Sequence, residues 1–256
     1  MDLEPLEPPS SDVQSPPLAA RLTPSLDQRV VAVIEVLLCS DYPTQLLLGV
    51  TFAALGFRSQ SADGTLDLGF VVALSLADTL LLVGLMLILM RARGDRPREI
   101  FLGGRRFLTE ARVGVPMTAM AFLIALLGLL AVRALAPWLH TVEHNPLQEL
   151  IRTPRDAAMF AVVVVVAGGV REELQRAFLL NRFERWLGGG TVGVVVASAA
   201  FGAGHLLQGA DAAVATGLLG VFWAVVYLRR RSVVAPMVSH SGFNLLQLAQ
   251  FAVMGQ

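Results

Sequence analysis

Three short clusters in the second half of the chain hold residue types that can do chemistry on water and a carbonyl. The first is Arg171-Glu172-Glu173-Leu174-Gln175-Arg176; on a helix Glu172 lies four residues and Glu173 three residues from Arg176, within reach of an ion pair. The second is Phe201-Gly202-Ala203-Gly204-His205, which puts a histidine one turn beyond an aromatic ring. The third is His240-Ser241-Gly242-Phe243-Asn244, where histidine and asparagine share one helix face. Each has a bland reading: a charged helix end in water, a satisfied structural histidine, and two polar groups hydrogen-bonded inside a bundle. Together they form a set suited to hydrolysis. A carboxylate or histidine takes a proton from water, while His and Asn donate to the developing oxyanion. Glu172, His205 and His240 could equally hold one zinc ion, because three N/O ligands plus a water make an open catalytic site.

The elements that must position these clusters are apolar helices. Hydrophobic residues make up 55% of the 256 residues, charged residues 16%, and the mean hydropathy is +0.63. A soluble domain carries about 25% charged residues, so the composition points to lipid. The apolar residues run in continuous blocks, and Gly69–Met90 contains a single charged residue, Asp78. Blocks of this length match a hydrocarbon core of ~30 Å, and without strand alternation the spanning structure must be helical. The expected fold is therefore all-α, a polytopic transmembrane bundle of seven or eight helices. Blocks fall at 30–38, 44–57, 69–90, 113–135, 157–170, 191–207, 213–228 and 233–254, the first two split by Asp41-Tyr42-Pro43 and read as one kinked span.

Composition divides the chain into a disordered tail at 1–28, N-terminal membrane helices at 29–136 and a second membrane region at 150–254 that holds all three clusters. The tail is rich in Pro, Ser, Asp and Glu and lacks the pattern of a signal peptide. All basic residues are arginine, and their clusters at 91–112, 182–185 and 229–231 alternate with the helices. Placing all three in the cytoplasm gives a consistent orientation with the N-terminus inside, as in a bacterial-type plasma membrane. The stretch 191–207 is rich in small residues, which suits a central helix that its neighbours approach closely. A lone cysteine, Cys39, excludes an intrachain disulfide. Asp78 and Glu35, isolated in apolar blocks, read as snorkelled or hydrogen-bonded groups, with an ion path as the alternative.

The ordered set resembles the CPBP family, also called the Abi or type II CAAX prenyl protease family of intramembrane endopeptidases. The family pattern is EExxxR, FxxxH and HxxxN or HxxxD, each on its own transmembrane helix. Phe201/His205 and His240/Asn244 match the second and third motifs unaltered; Arg176-Ala177-Phe178-Leu179-Leu180, after the first motif, resembles the family's Arg-Gly-Leu-Leu-Leu, and Ala235-Pro236-Met237 ahead of His240 is family-like. The first motif is displaced by one residue. Anchored on Arg176, Glu172 takes the second glutamate's place and Arg171 the first's; anchored on Glu172-Glu173, the arginine falls one residue early. The resemblance implies that Glu172, with Glu173 as alternate, and His205 activate water, that His240 and Asn244 bind the oxyanion, and that Arg176 orients the glutamate. It implies a lipid bilayer and a protein or peptide substrate, lipid-modified in some members, as partners. Nothing points to nucleic acid. The rival readings are a catalytically silent scaffold or immunity protein that retains the fold, supported by the displaced motif, and a transporter, which would need inverted repeats that are not visible.

Overall fold

Ser25 starts the first helix. Its hydroxyl accepts from the Gln28 amide at 3.3 Å while the Gln28 side chain accepts from the Ser25 amide at 3.0 Å, a reciprocal cap. Helix α1 (Leu26–Leu38) thus begins inside the stretch that composition assigns to the tail. The structure, a computed structural model, describes residues 24–254 except 62, 63 and 144, and the tail at 1–23 lies outside the described residues. Helix α2 (Tyr42–Ala54) follows at a bend of 44°. Asp41 at the bend has φ +80°, and Pro43 lies in the first turn of α2, so the chain cannot continue as one straight helix.

Long apolar helices follow: α3 (Leu68–Ala92), capped by Asp67, then the short α4 (Pro97–Leu102) and α5 (Phe107–Leu135). Helix α6 (Pro154–Val163) opens with a Thr153/Asp156 capping box and Pro154 at its start. It runs through a π-helical stretch, Val164–Arg171, directly into α7 (Glu172–Trp186). The charged cluster at 171–176 therefore sits in the middle of a continuous helix and not at a solvated end. Gly188 and Gly189, both at positive φ, turn the chain into α8 (Gly190–Ala203), followed by α9 (Ala210–Arg230) and α10 (Val234–Met254).

The bundle is all-α, as expected. Among the described residues three helices, α3, α5 and α9, are long and apolar enough to cross a membrane, or four if the bent α1/α2 pair is one span. The blocks read from the sequence all form helices, and the others fall short of that length and apolarity for physical reasons. At 1.5 Å per residue α8 is about 21 Å long, α7 is charged, and α10 is diluted by His240, Asn244, Gln247 and Gln250. Helices α5, α9 and α10 pack together, α8 lies on α9, and α10 crosses the π-helical stretch. The α8/α9 crossing depends on small residues, as expected: a Cβ on Gly202 would come within 2.6 Å of the Ala213 carbonyl oxygen.

Charged groups expected as isolated singles are paired. Glu35 lies between Arg93, at 2.8 Å, and the fully buried Arg182, whose Nε is 2.7 Å away without the alignment of a hydrogen bond. Asp95 binds Arg182 and Arg185. Arg182 and Arg185 thus belong to an ionic knot that ties α1 and the loop after α3 to α7.

Candidate active site

The π-helical stretch and the first turn of α7 deliver both glutamates to α10. A π turn widens the helix locally, and such turns recur at functional sites. Gly168 and Gly169 let α10 approach: a Cβ on Gly169 would fall 1.9 Å from Ser241 Oγ and 3.0 Å from Ser241 Cα. Asn244 Nδ2 then donates to the Val164 carbonyl at 3.2 Å, closing α10 onto this stretch.

Across that contact Glu173 Oε1 accepts from His240 Nδ1 at 2.8 Å and is also bound by Arg176. Glu173, Arg176 and His240 are all buried. An ionised carboxylate only accepts, which assigns the proton to His240 Nδ1 and leaves Nε2 facing Glu172 Oε2 at 3.7 Å. The His240 ring stacks on Trp223, with centroids 3.8 Å apart and planes at 18°. Trp223 is held in turn by its Nε1–H on Ser239 Oγ at 3.2 Å. Arg176 lies over the Phe201 ring, 4.7 Å from its centroid, a cation–π contact that joins the first motif to the second.

Glu172 is the less buried of the pair and lines a cavity of about 290 Å³, together with Arg176, His205, Asp41 and Tyr42. His205 Nδ1 lies 2.8 Å from the Phe201 carbonyl oxygen. A carbonyl cannot donate, so Nδ1 carries the proton and Nε2 of the neutral ring is left with its lone pair. The rings of Phe201 and His205 meet edge-on at 4.9 Å, and that of His240 meets Phe201 at 5.9 Å. Phe201 thus contacts both histidines. A larger apolar groove of about 560 Å³ lies between α5 and α9, with only Arg229 and Arg230 as charged lining, and holds none of these residues.

Of the six residues singled out from sequence, Glu172, Arg176 and His205 line one cavity, and Glu173 and His240 adjoin them through the contacts of Glu173 with Arg176 and of His240 with Glu173 and Glu172. Two details differ from expectation. Arg176 grips Glu173, not Glu172. Asn244 spends an amide hydrogen on Val164 and does not line the cavity, because the Gly168–Gly169 surface draws α10 against the backbone there. As to a metal, among the described residues no three His, Cys, Asp or Glu side chains are grouped to hold an ion. His240 Nε2 and Glu172 face each other, and His205 does not complete a set with them, so the three do not fit a three-ligand zinc site as arranged.

Sequence reasoning missed Asp41, which reaches the cavity from the α1/α2 bend, and Trp223, the platform under His240. The break at Asp41-Tyr42-Pro43 was a signal for the first; a tryptophan within the apolar block at 213–228 was a weak one for the second.

Residues 154–246 match the family model for type II CAAX prenyl endopeptidase Rce1-like proteins. This segment is Rce1-like. The match supports the CPBP/Abi resemblance carried by the second and third motifs, and it spans the helices that build the site, α6 to most of α10. No curated protein and no solved structure matches the chain. The Rce1-like segment contains every residue of the expected catalytic set, whereas Asp41 and Asp78 come from helices outside it. The long apolar helices around it make the chain a multi-pass membrane protein.

Proposed function

We propose that the chain is an intramembrane endopeptidase of the Rce1-like type, hydrolysing a peptide bond of a membrane-associated protein or peptide, with Glu172 as the base. One observation carries the reading: Glu172 Oε2 and His240 Nε2 face each other at 3.7 Å at the edge of a cavity that His205 also lines.

In the proposed reaction a water between Glu172 and the lone pair of His205 Nε2 attacks the scissile carbonyl and gives its proton to Glu172. The carbonyl π pair moves to oxygen, and the oxyanion forms beside His240 Nε2, on the ring that its Nδ1 bond fixes to Glu173. When the tetrahedral intermediate collapses, the C–N bond breaks and Glu172 returns the proton to the leaving amine. Glu173 and Arg176 are positioning residues that set the His240 ring; Asn244 positions α10. These steps use side chains alone and route nothing through an ion.

The test is cleavage by purified protein in lipid nanodiscs of an internally quenched peptide ending in a farnesylated CAAX sequence, beside its unfarnesylated twin. Cleavage of either by wild type and not by Glu172→Gln is expected. Cleavage of neither by folded protein favours the silent scaffold, a reading supported by the ion pair of Glu172 with Arg171, which makes a carboxylate a poorer base.

A further inference from the structure

The residue standing where the family pattern carries its first glutamate, Arg171, is buried and contacts three carboxylates. Its Nη1 binds Asp41 at the α1/α2 bend and Asp78 of α3, the latter at 2.9 Å. Its Nη2 reaches Glu172 Oε1 at 3.4 Å, and its Nε donates to the Ala167 carbonyl at 3.3 Å within the π-helical stretch. The guanidinium is therefore pinned on three sides and offers its fourth to Glu172. Glu172 Oε1 accepts from Arg171 at 3.4 Å, while its Oε2 lies 3.7 Å from His240 Nε2, beyond hydrogen-bond length. The Arg171 bond therefore sets the orientation of the carboxylate, and losing it frees the last bond to rotate.

Asp78 belongs to an apolar helix and is 2% exposed; its second oxygen has no hydrogen-bond partner among the described residues. Burying a carboxylate among apolar helices is expensive unless it is paired. Asp41 is also specifically held: Gln45 Nε2 donates to its second oxygen at 2.7 Å, and its backbone sits at positive φ. Simple bracing of α1 against α7 is already supplied by the separate knot of Glu35, Arg93, Arg182 and Asp95.

We propose that Asp78 and Asp41 are positioning residues which, through Arg171, hold the Glu172 carboxylate in its working orientation, so that the N-terminal helices complete a site otherwise contained in the Rce1-like segment. This inference rests on Glu172 being the base, and its failure can be told apart from failure of that reading.

With the farnesylated quenched peptide, Asp78→Asn is expected to lower kcat about 10- to 100-fold, the scale of a misplaced catalytic group, with KM within about twofold. Asp78→Glu, which keeps the charge, should recover part of the loss. The deciding variant is Arg171→Met/Asp78→Leu, which removes the two buried charges together and leaves Asp41 and Glu172, both partly exposed, without Arg171. A merely structural pair would regain kcat along with thermal stability; a positioning pair regains stability while kcat stays low. Restored kcat in the double variant overturns the proposal. If that variant does not fold, Asp41→Asn at the partly exposed bend takes its place, with the same kcat loss expected and wild-type kcat overturning the idea. An activity-free reading comes from infrared difference spectra of the protein minus its Glu172→Gln form. The Glu172 carboxylate band should shift on Asp78→Asn, and an unmoved band contradicts the proposal. Should Glu172→Gln itself cleave normally, the base assignment fails; should it be dead while Asp78 and Asp41 variants retain kcat, only the positioning inference fails.

Discussion

His240 and Glu173, 67 residues apart in sequence, share a 2.8 Å hydrogen bond in the interior of the bundle. The bond gives the two adjacent glutamates different places. Glu173 is locked between His240 and Arg176 under the cavity, and Glu172 stands at its wall. The two should respond differently to the same substitution. Glu172→Gln should remove turnover with a small change in melting temperature. Glu173→Gln should lower turnover less and melting temperature more, since it leaves Arg176 buried without its anion, a change that costs about 3–5 kcal/mol when a buried pair is broken. Thermal melts in detergent beside peptide cleavage check both; the reverse ranking would reassign the base to Glu173.

The close approach of α10 to the π-helical stretch is testable without any substrate. Gly169→Ala places a methyl group 1.9 Å from Ser241 Oγ, and overpacking of this kind destabilises by about 1–3 kcal/mol. Gly84→Ala meets nothing within 4 Å and should be neutral or mildly stabilising, because alanine favours a helix by about 1 kcal/mol over glycine. Equal melting temperatures for the two variants would show that α10 does not lie where the structure puts it.

The ionic knot around Arg182 should behave as structure alone. Arg182→Met leaves Glu35 with Arg93 alone and Asp95 with Arg185 alone and is expected to destabilise by less than the ~3–5 kcal/mol of a fully broken buried pair, while the surviving folded protein keeps its kcat. A lowered kcat at unchanged stability would instead tie Arg182 to the chemistry.

Much of this architecture was legible in sequence, for particular reasons. Unbroken apolar blocks announce helices in lipid, and polar side chains inside them, His240 above all, announce partners. That logic found five of the residues gathered at the site. It stopped where partners come from far away in the chain. Nothing local says that Asp78 will meet Arg171, or that Trp223 will lie under His240, because helix packing decides these contacts. The charged cluster at 171–176 read as a helix end for a related reason: nothing in the apolar block before it says that the helix runs on through α7. Asn244 shows the limit of motif spacing, since facing the same side as His240 does not decide which neighbour its amide will find.

Metal dependence follows from the donor arrangement. Because Glu172, His205 and His240 are not grouped as a ligand set among the described residues, 1,10-phenanthroline should leave cleavage unchanged, and elemental analysis of purified protein should find zinc well below one per chain. Stoichiometric zinc whose removal stops cleavage would require the three side chains to regroup.

The orientation is checked by cysteine labelling in a Cys39→Ala background. Positions beside Arg98 and Arg230 should react from the cytoplasmic side, and a position beside Glu143 from the opposite side. Labelling of Glu143 and Arg230 positions from one side would contradict the arginine-based topology.

The central claim is that Glu172 activates water for peptide hydrolysis, and it is met most directly by a single turnover of the quenched peptide in ¹⁸O-labelled water. Mass spectrometry should find one ¹⁸O in the new C-terminal carboxylate made by wild-type protein, and no product above background from Glu172→Gln. Undiminished cleavage by Glu172→Gln, or a first-turnover product without ¹⁸O, would contradict it.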